Sequence, residues 1–318
     1  MTRVNRRSLL AAVPALALAG RPALAQRMKV TLGTASTGGT FAVYGAAFVD
    51  ALKAIDPTLE IRPMATQGTA ENVPRLEAGE IDIGLVSGEV THELLLGIGR
   101  PASKLKVLTA MYSTAGMFVV RADSRYRHID DLKGRPIVLN ARGSGLAIQA
   151  RYVMDGLGLD IEKDFEPVYI KDLADGPLMV IEGRAAALWG GGLRWPGFVS
   201  VASTTRGGRF VVPDSNEIER IQSKHGFLKK LTVPAGLYPG QYDPIVTLGT
   251  WSYILARADL DDAVGYRLAK TLYRIERLGS PPRQLAETTV KNTLSAIPGP
   301  KALHPGVLQF YKEAELVK

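Results

Sequence analysis

The chain has 318 residues, a formal net charge of +8 and no cysteine. Without a thiol there is no disulfide, no lipid anchor on an N-terminal cysteine, no thiolate metal site and no cysteine nucleophile. No run of lysine or arginine exceeds two residues, so the basic stripe with interleaved aromatics that a nucleic-acid surface needs is not encoded.

Residues 1–25 read as a secretory signal peptide. Arg3, Arg6 and Arg7 form a positive start, Leu9 to Gly20 is apolar apart from Pro14, and Ala23-Leu24-Ala25 is a small-x-small cleavage site. Asn5-Arg6-Arg7-Ser8-Leu9-Leu10 also fits a twin-arginine signal, so both export routes stay open. Cleavage after Ala25 removes Arg3, Arg6, Arg7 and Arg21 and no acid, which takes the charge from +8 to +4. A periplasmic location is expected. No later apolar stretch approaches the ~18 residues of a membrane span, and residues 26–318 are enough for two domains on the ~150-residue prior.

Beyond the cleavage site, short β-rich runs alternate with helical periodicity, the pattern of an α/β fold with mostly parallel sheets. Lys29–Leu32 is a strand, and Phe41, Tyr44, Phe48, Ala51 and Ile55 recur at helical spacing. Ile61–Met64 is the next strand, followed by a glycine loop and a helix through Leu76; Ile81–Val86 is apolar enough to be a buried parallel strand. Leu105–Met111 and Met117–Arg121 complete a first set. The second set runs through strands at Pro136–Leu139, Phe165–Ile170, Ala185–Trp189 and Phe210–Val212, with helices at Leu146–Leu157, near Leu178–Glu182 and through Ile221. Leu231–Thr250 is rich in glycine and proline and reads as irregular, Val246–Arg257 as a long strand, and the remainder as helical. Two α/β lobes follow, with Met117–Arg121 and Trp251–Arg257 as the crossings between them. The expected parts are 26–119 in lobe 1, 120–250 in lobe 2, and 251–318 returning to lobe 1.

Three strand-to-helix turns share a glycine–hydroxyl composition: Gly33-Thr34-Ala35-Ser36-Thr37-Gly38-Gly39-Thr40, Thr66-Gln67-Gly68-Thr69-Ala70-Glu71-Asn72 and Asn140-Ala141-Arg142-Gly143-Ser144-Gly145. Backbone N–H groups at a helix start, small residues and hydroxyls favour a carboxylate or phosphate. Any one such turn is most simply a helix cap. Three at the carboxyl ends of strands point to a shared ligand, because open α/β sheets bind there. The first turn matches a P-loop except that Gly39 replaces the lysine, which argues against nucleotide hydrolysis.

Gly33 to Gly45, Thr66 to Asn72 and Gly79-Glu80-Ile81-Asp82-Ile83-Gly84 together resemble the TAXI family. These are solute-binding subunits of tripartite ATP-independent periplasmic (TRAP) transporters. Ile129-Asp130-Asp131-Leu132-Lys133-Gly134-Arg135, Gly143-Ser144-Gly145, Tyr238-Pro239-Gly240 and His304-Pro305-Gly306 extend the resemblance over residues 26–318. It implies a two-lobed, type II-like periplasmic binding protein with crossing hinge strands. Its expected partners are a small anionic solute, glutamate-like or another carboxylate, and TRAP membrane permease subunits; a monomer without cofactor or metal is expected. The ligand contacts it implies are Ser36, Thr37, Gly39, Thr40 and Phe41, then Gln67, Gly68, Thr69 and Asn72, then Ser144 and Gly145. The chain departs from the family pattern at Ala42, Pro74 and Arg142, which bears on the size and charge of the ligand.

Arg142 is the sharpest specificity candidate, since its planar fork takes a second carboxylate in a bidentate pair; a solvated loop arginine is the simpler alternative. Trp189, which opens the run Trp189-Gly190-Gly191-Gly192-Leu193-Arg194-Trp195, either walls an apolar part of the ligand or ends a core strand. Arg194 and Trp195 read as packing residues, and Tyr238 as structural. His92, His128, His225 and His304 have no metal-ligand spacing. Asp130-Asp131 reads as a helix cap. The rival readings are an exported esterase or phosphatase built on the same loops, which would need a base that nothing identifies, and a binding protein that feeds a sensor kinase.

Overall fold

The computed structural model describes residues 28–35, 40–192 and 194–317. The expected signal peptide, and Ser36, Thr37 and Gly39 of the first turn, lie outside the described residues. In chain order the elements begin with β1 (Met28–Gly33), α1 (Thr40–Ile55), β2 (Leu59–Met64), α2 (Thr69–Glu77), β3 (Ile83–Val86), α3 (Gly88–Leu96) and β4 (Lys106–Arg121). There follow β5 (Pro136–Val138), α4 (Gly145–Gly156), α5 (Ile161–Asp164), β6 (Glu166–Val168), α6 (Asp175–Ile181), β7 (Ala187–Gly191) and α7 (Pro196–Ala202). The last are β8 (Gly208–Val211), α8 (Ser215–Lys224), β9 (Lys229–Val233), β10 (Ile245–Ala256), α9 (Asp262–Glu276), α10 (Val290–Ala296) and α11 (Pro305–Glu313).

The strands form one path, β2-β1-β3-β10-β4-β7-β5-β6, with β8 added on β4 and β9 on β10. β1 runs parallel to β2 and β3, and β5 parallel to β6 and β7. β4 and β10 run antiparallel to each other and to their neighbours and together link the two sets, β10 pairing with β3 and β4 with β7. The fold is therefore α/β with two lobes, and these two long strands are the connections between them.

Two sequence expectations need correction here. Leu105–Met111 and Met117–Arg121 are one strand, because the small and polar residues between them keep pairing: Ser113 faces Trp251, Thr114 faces Thr250 and Ala115 faces Gly249. Leu231–Thr250 is not irregular throughout, because β9 and the start of β10 pair as an antiparallel ribbon, Val233 opposite Ile245. At Gly116 the pairing of β4 passes to β7, with Gly116 opposite Gly191. The strands thus change partners at Thr114–Gly116 and Gly249–Thr250, and the expected boundaries at 119/120 and 250/251 fall inside β4 and β10.

Glycine is required at this exchange by close approach. A Cβ at Gly116 would lie 2.5 Å from both Gln149 Oε1 and Trp189 Cζ2, and one at Gly249 would collide with the Thr114 carbonyl. Beyond it, alternation along each strand separates two cores. Phe118 and Val120 of β4, with Ile137, Leu139 and Trp189, face α4 and α8, where Met154 and Ile221 cover them. Met117 and Val119, with Val138 and Leu188, face the other way, under Phe198 and Val201 of α7. In lobe 1, α1 and the C-terminal helices cover a third core around Leu32, Leu85, Val107 and Ile254.

Phe118 is fully buried and meets Trp189 edge to face, ring centroids 4.9 Å apart. Phe118→Ala is expected to lower stability by about 3–5 kcal/mol through lost burial and the cavity left behind. Chemical denaturation measures this, and a loss below ~1 kcal/mol would show that the site collapses without cost.

Candidate functional site

The carboxyl ends of β1, β2 and β3 are tied together by one side chain. Asn72, in the first turn of α2, is completely buried. Its amide donates to the carbonyls of Gly33 (3.2 Å), Thr34 (2.9 Å) and Leu85 (2.8 Å), and its oxygen accepts from the Thr66 hydroxyl at 2.8 Å. Gly33 has to be glycine because a Cβ there would sit 2.5 Å from the Asn72 oxygen. Asn72 was expected at the ligand, but its hydrogen-bonding capacity is spent inside the lobe. It positions the first two turns from behind.

The second turn is shaped by Gly68, at φ 77°, in the left-handed region that favours glycine. Glu71 accepts from the Gln67 N–H at 2.7 Å and pairs with Arg75 at 2.7 Å. The Gln67 N–H, followed by Arg75, holds its exposed carboxyl below the usual range. The Gln67 side chain is left exposed. Thr69 accepts from the Ser87 N–H at 3.0 Å, which links α2 to the turn between β3 and α3. α1 starts at Thr40, which is exposed; Phe41 beside it is half-buried and meets Tyr112 of β4 edge-on at 6.4 Å.

That β3–α3 turn, Ser87-Gly88-Glu89, is a fourth helix start at the carboxyl end of a strand, one that the sequence expectations do not include. Its signal is a shorter form of the same pattern: a buried strand running into a hydroxyl residue and a glycine, Ser87-Gly88. Gly88 packs on the backbone of β10, where a Cβ would collide with the Trp251 carbonyl. Across from it stands the start of α4, from the other lobe. Ser144 caps that helix by accepting from the Ala147 N–H at 3.3 Å, and a Cβ on Gly145 would collide with the Ser87 side chain. Two helix N-termini, one from each lobe, therefore meet beside the strand exchange. Each carries partial positive charge.

Between them lies Glu89, 2 % exposed. Its Oε1 accepts from Gln149 Nε2 of α4 at 2.9 Å and from the Thr250 hydroxyl of β10 at 2.5 Å. Gln149 also donates to the Thr114 carbonyl of β4 at 2.9 Å. One carboxyl thus joins α3, α4 and both long strands. Burial pushes it up to about 7 against the opposing pull of the Thr250 and Gln149 hydrogen bonds.

The other candidates divide. Trp189 is 0 % exposed and belongs to the core of lobe 2, so the wall reading is corrected to a packing one. Its carbonyl accepts from Asn140 Nδ2 at 2.8 Å, which holds Asn140 at φ 63°. Arg142 is turned away from the helix starts: it pairs with Glu162 at 3.1 Å and lies 3.9 Å over the Tyr169 ring, still 69 % exposed. It is the solvated loop arginine, and a pairing role for the ligand is not what its surroundings provide. Tyr238 is structural, as expected; its hydroxyl donates to the Gly192 carbonyl at 2.9 Å and accepts from the Trp195 N–H at 3.3 Å. Ser113 is engaged by Glu287 through its N–H (3.0 Å) and hydroxyl (2.9 Å). A cavity of about 260 Å³ opens beside α3, lined by Gly88, His92, Phe227, Thr250, Trp251 and Tyr253 among others.

The NMT1-like family model matches residues 32–314. The chain belongs to the NMT1-like family. Among solved structures, this NMT1-like chain is similar to a putative sulfonate ABC transporter protein, the periplasmic sulfonate-binding protein SsuA from Methylobacillus flagellatus KT. Identity is 14 %, with 92 % of this chain and 96 % of that one covered, at a TM-score of 0.50. The periplasmic aliphatic sulphonate binding protein SsuA from Escherichia coli matches at 15 % identity over 90 % of this chain and 82 % of its own, with a TM-score of 0.46. At these identities the likeness is one of fold. Among the described residues, no helix of this NMT1-like protein is long and apolar enough to cross a membrane.

Glu89 gives a pH prediction. Its carboxyl keeps its proton to about 7 in the folded chain, against an ordinary value of 4.5. The unfolded chain releases that proton first, so stability falls as pH rises from 4.5 to about 7 and is level above. The loss is on the order of 3 kcal/mol. Glu89→Gln is expected to raise the melting temperature at pH 8 and to leave it unchanged at pH 4. Equal effects at both values would show that Glu89 ionises freely.

Proposed function

We propose that the chain is the exported solute-binding subunit of a TRAP transporter of the TAXI kind, which holds a small carboxylate between its lobes and delivers it to membrane permease subunits. The observation that carries this reading is the meeting of the α3 and α4 starts, one from each lobe, beside the strand exchange. An anion placed against helix starts is stabilised by orphan N–H groups and by the dipoles. Contacts to both lobes give the ligand a differential affinity for the closed form, which is what shifts an open–closed equilibrium. No bond needs to be made or broken for that task.

The proposed contacts are Ser36, Thr37, Gly39, Thr40 and Phe41 from the first turn, Gln67, Gly68 and Thr69 from the second, and Ser144 and Gly145 from the third, with Ser87 added. Asn72 is assigned to positioning. The lobes are taken as 26–119 with 251–318, and 120–250. The expected signal peptide supports a periplasmic location for the receptor.

Thermal-shift measurement on residues 26–318 tests the reading, with a panel of glutamate, 2-oxoglutarate and other mono- and dicarboxylates, and with a sulfonate, the class of anion named for the Methylobacillus protein. A ligand at about 100 times its Kd adds ~2.7 kcal/mol to the native state, a rise of roughly 5–10 °C for a chain of this size. A carboxylate giving that rise supports the proposal. A rise with the sulfonate alone would move the solute class, and catalytic turnover of a carboxylate or phosphate ester would replace the receptor reading.

A further inference from the structure

Given the receptor role proposed above, the far end of the solute needs its own recognition, and Arg142 does not supply it. We propose that Arg194 is the cation that selects a second anionic group on the solute. The position of its turn, its unengaged side chain and its backbone support this. Arg194 lies in the turn from β7 to α7, at the carboxyl end of a strand parallel to β5, whose own carboxyl end leads to the Ser144 cap. The turn leaves β7 where it abuts the strand exchange and α4: a Cβ on Gly191 would lie 2.7 Å from Thr114 Cγ2 and 3.2 Å from Leu146 Cδ2. The side chain of Arg194 is exposed, and no hydrogen bond, ion pair or ring contact engages it among the described residues.

The backbone adds the third observation. Arg194 sits at φ 56°, in the left-handed region that an L side chain with a Cβ enters at a cost and that glycine or asparagine would occupy readily. The surroundings enforce it. Tyr238, 2 % exposed, bridges the turn by donating to Gly192 O and accepting from Trp195 N–H, and Trp195 is pinned against Gly190 and Phe198. An arginine at a left-handed backbone position with its guanidinium free of partners is suited to receive an anion. Its five N–H donors match a carboxylate in a bidentate pair.

Binding calorimetry with two matched pairs tests the assignment: glutamate against glutamine, and 2-oxoglutarate against 2-oxopentanoate. Each pair keeps one carboxylate and changes the far group. Wild type is expected to prefer the dicarboxylate of at least one pair, and Arg194→Asn to weaken that dicarboxylate at least tenfold while leaving its partner within about twofold. Asparagine tolerates the left-handed backbone, so the variant should melt at or above the wild-type temperature. Lost affinity then cannot be charged to a lost fold. Arg194→Lys should recover part of the binding, since it restores charge without the fork. Higher salt should weaken the dicarboxylate in wild type more than in Arg194→Asn. An unchanged dissociation constant in Arg194→Asn, or equal wild-type affinity for the members of both pairs, overturns the role of Arg194 and leaves the receptor reading intact. Failure of wild type to bind any carboxylate overturns both.

Discussion

The exchange of partners between β4 and β10 is the constraint on which the rest of the architecture depends. Two antiparallel strands change partners within a few residues here: β4 passes from β10 to β7, and β10 passes from β4 to β9. The chain solves this with glycine. Gly116 and Gly249 stand where any Cβ would strike a carbonyl, an indole or an amide oxygen. Threonines 114 and 250 lie beside them as a cross-strand pair, and both are bound into the seam, one through its carbonyl to Gln149 and one through its hydroxyl to Glu89. The strands that α3 and α4 follow lie on opposite sides of this exchange, β3 next to β10 and β5 one strand beyond β4, across β7.

A division of labour follows from burial. Groups that hold the turns are buried and satisfied: Asn72 spans three strand ends, Thr66 links Thr34 to Asn72, and Tyr238 closes the β7–α7 turn. The residues proposed to meet the solute are exposed or half-buried: Thr40, Phe41, Gln67, Thr69, Ser144 and Arg194. A buried polar group without partners is costly, so the holders are spent by necessity. The two sets alternate closely along the chain. Asn72 follows Thr69 by one helical turn, and Arg194 sits directly before Trp195.

This explains which parts were readable in advance. The α/β alternation and the glycine–hydroxyl turns are local patterns, carried by residues a few positions apart, and the strands and helices flanking those turns were found where they occur. The continuity of β4 was not readable. Tyr112 to Gly116 lacks the branched apolar residues that mark a strand, and only its pairing with β10 keeps it extended. Direction was equally hidden. Arg142 and Arg194 are both loop arginines beside glycines, and the one that looked like a ligand group is drawn off by Glu162, twenty residues away. The Ser87-Gly88-Glu89 turn was within reach of the same pattern that found the others. The meaning of Glu89 was not, because Gln149 and Thr250 are 60 and 161 positions distant.

The electrostatics of the seam depend on how much charge Glu89 carries. Each helix start is equivalent to roughly half an elementary positive charge, so two of them sum to about the charge that one ionised carboxylate cancels. A fully ionised Glu89 would leave nothing for a solute to neutralise. Burial prevents this by holding the carboxyl up to about 7, so that near neutrality the proton is shared between folded states and the seam keeps net positive character on average. Desolvation strong enough to raise Glu89 also makes its remaining hydrogen bonds to Gln149 and Thr250 worth more than they would be in water. The same low-dielectric packing that joins the lobes thereby preserves the positive field that the proposed anionic solute requires.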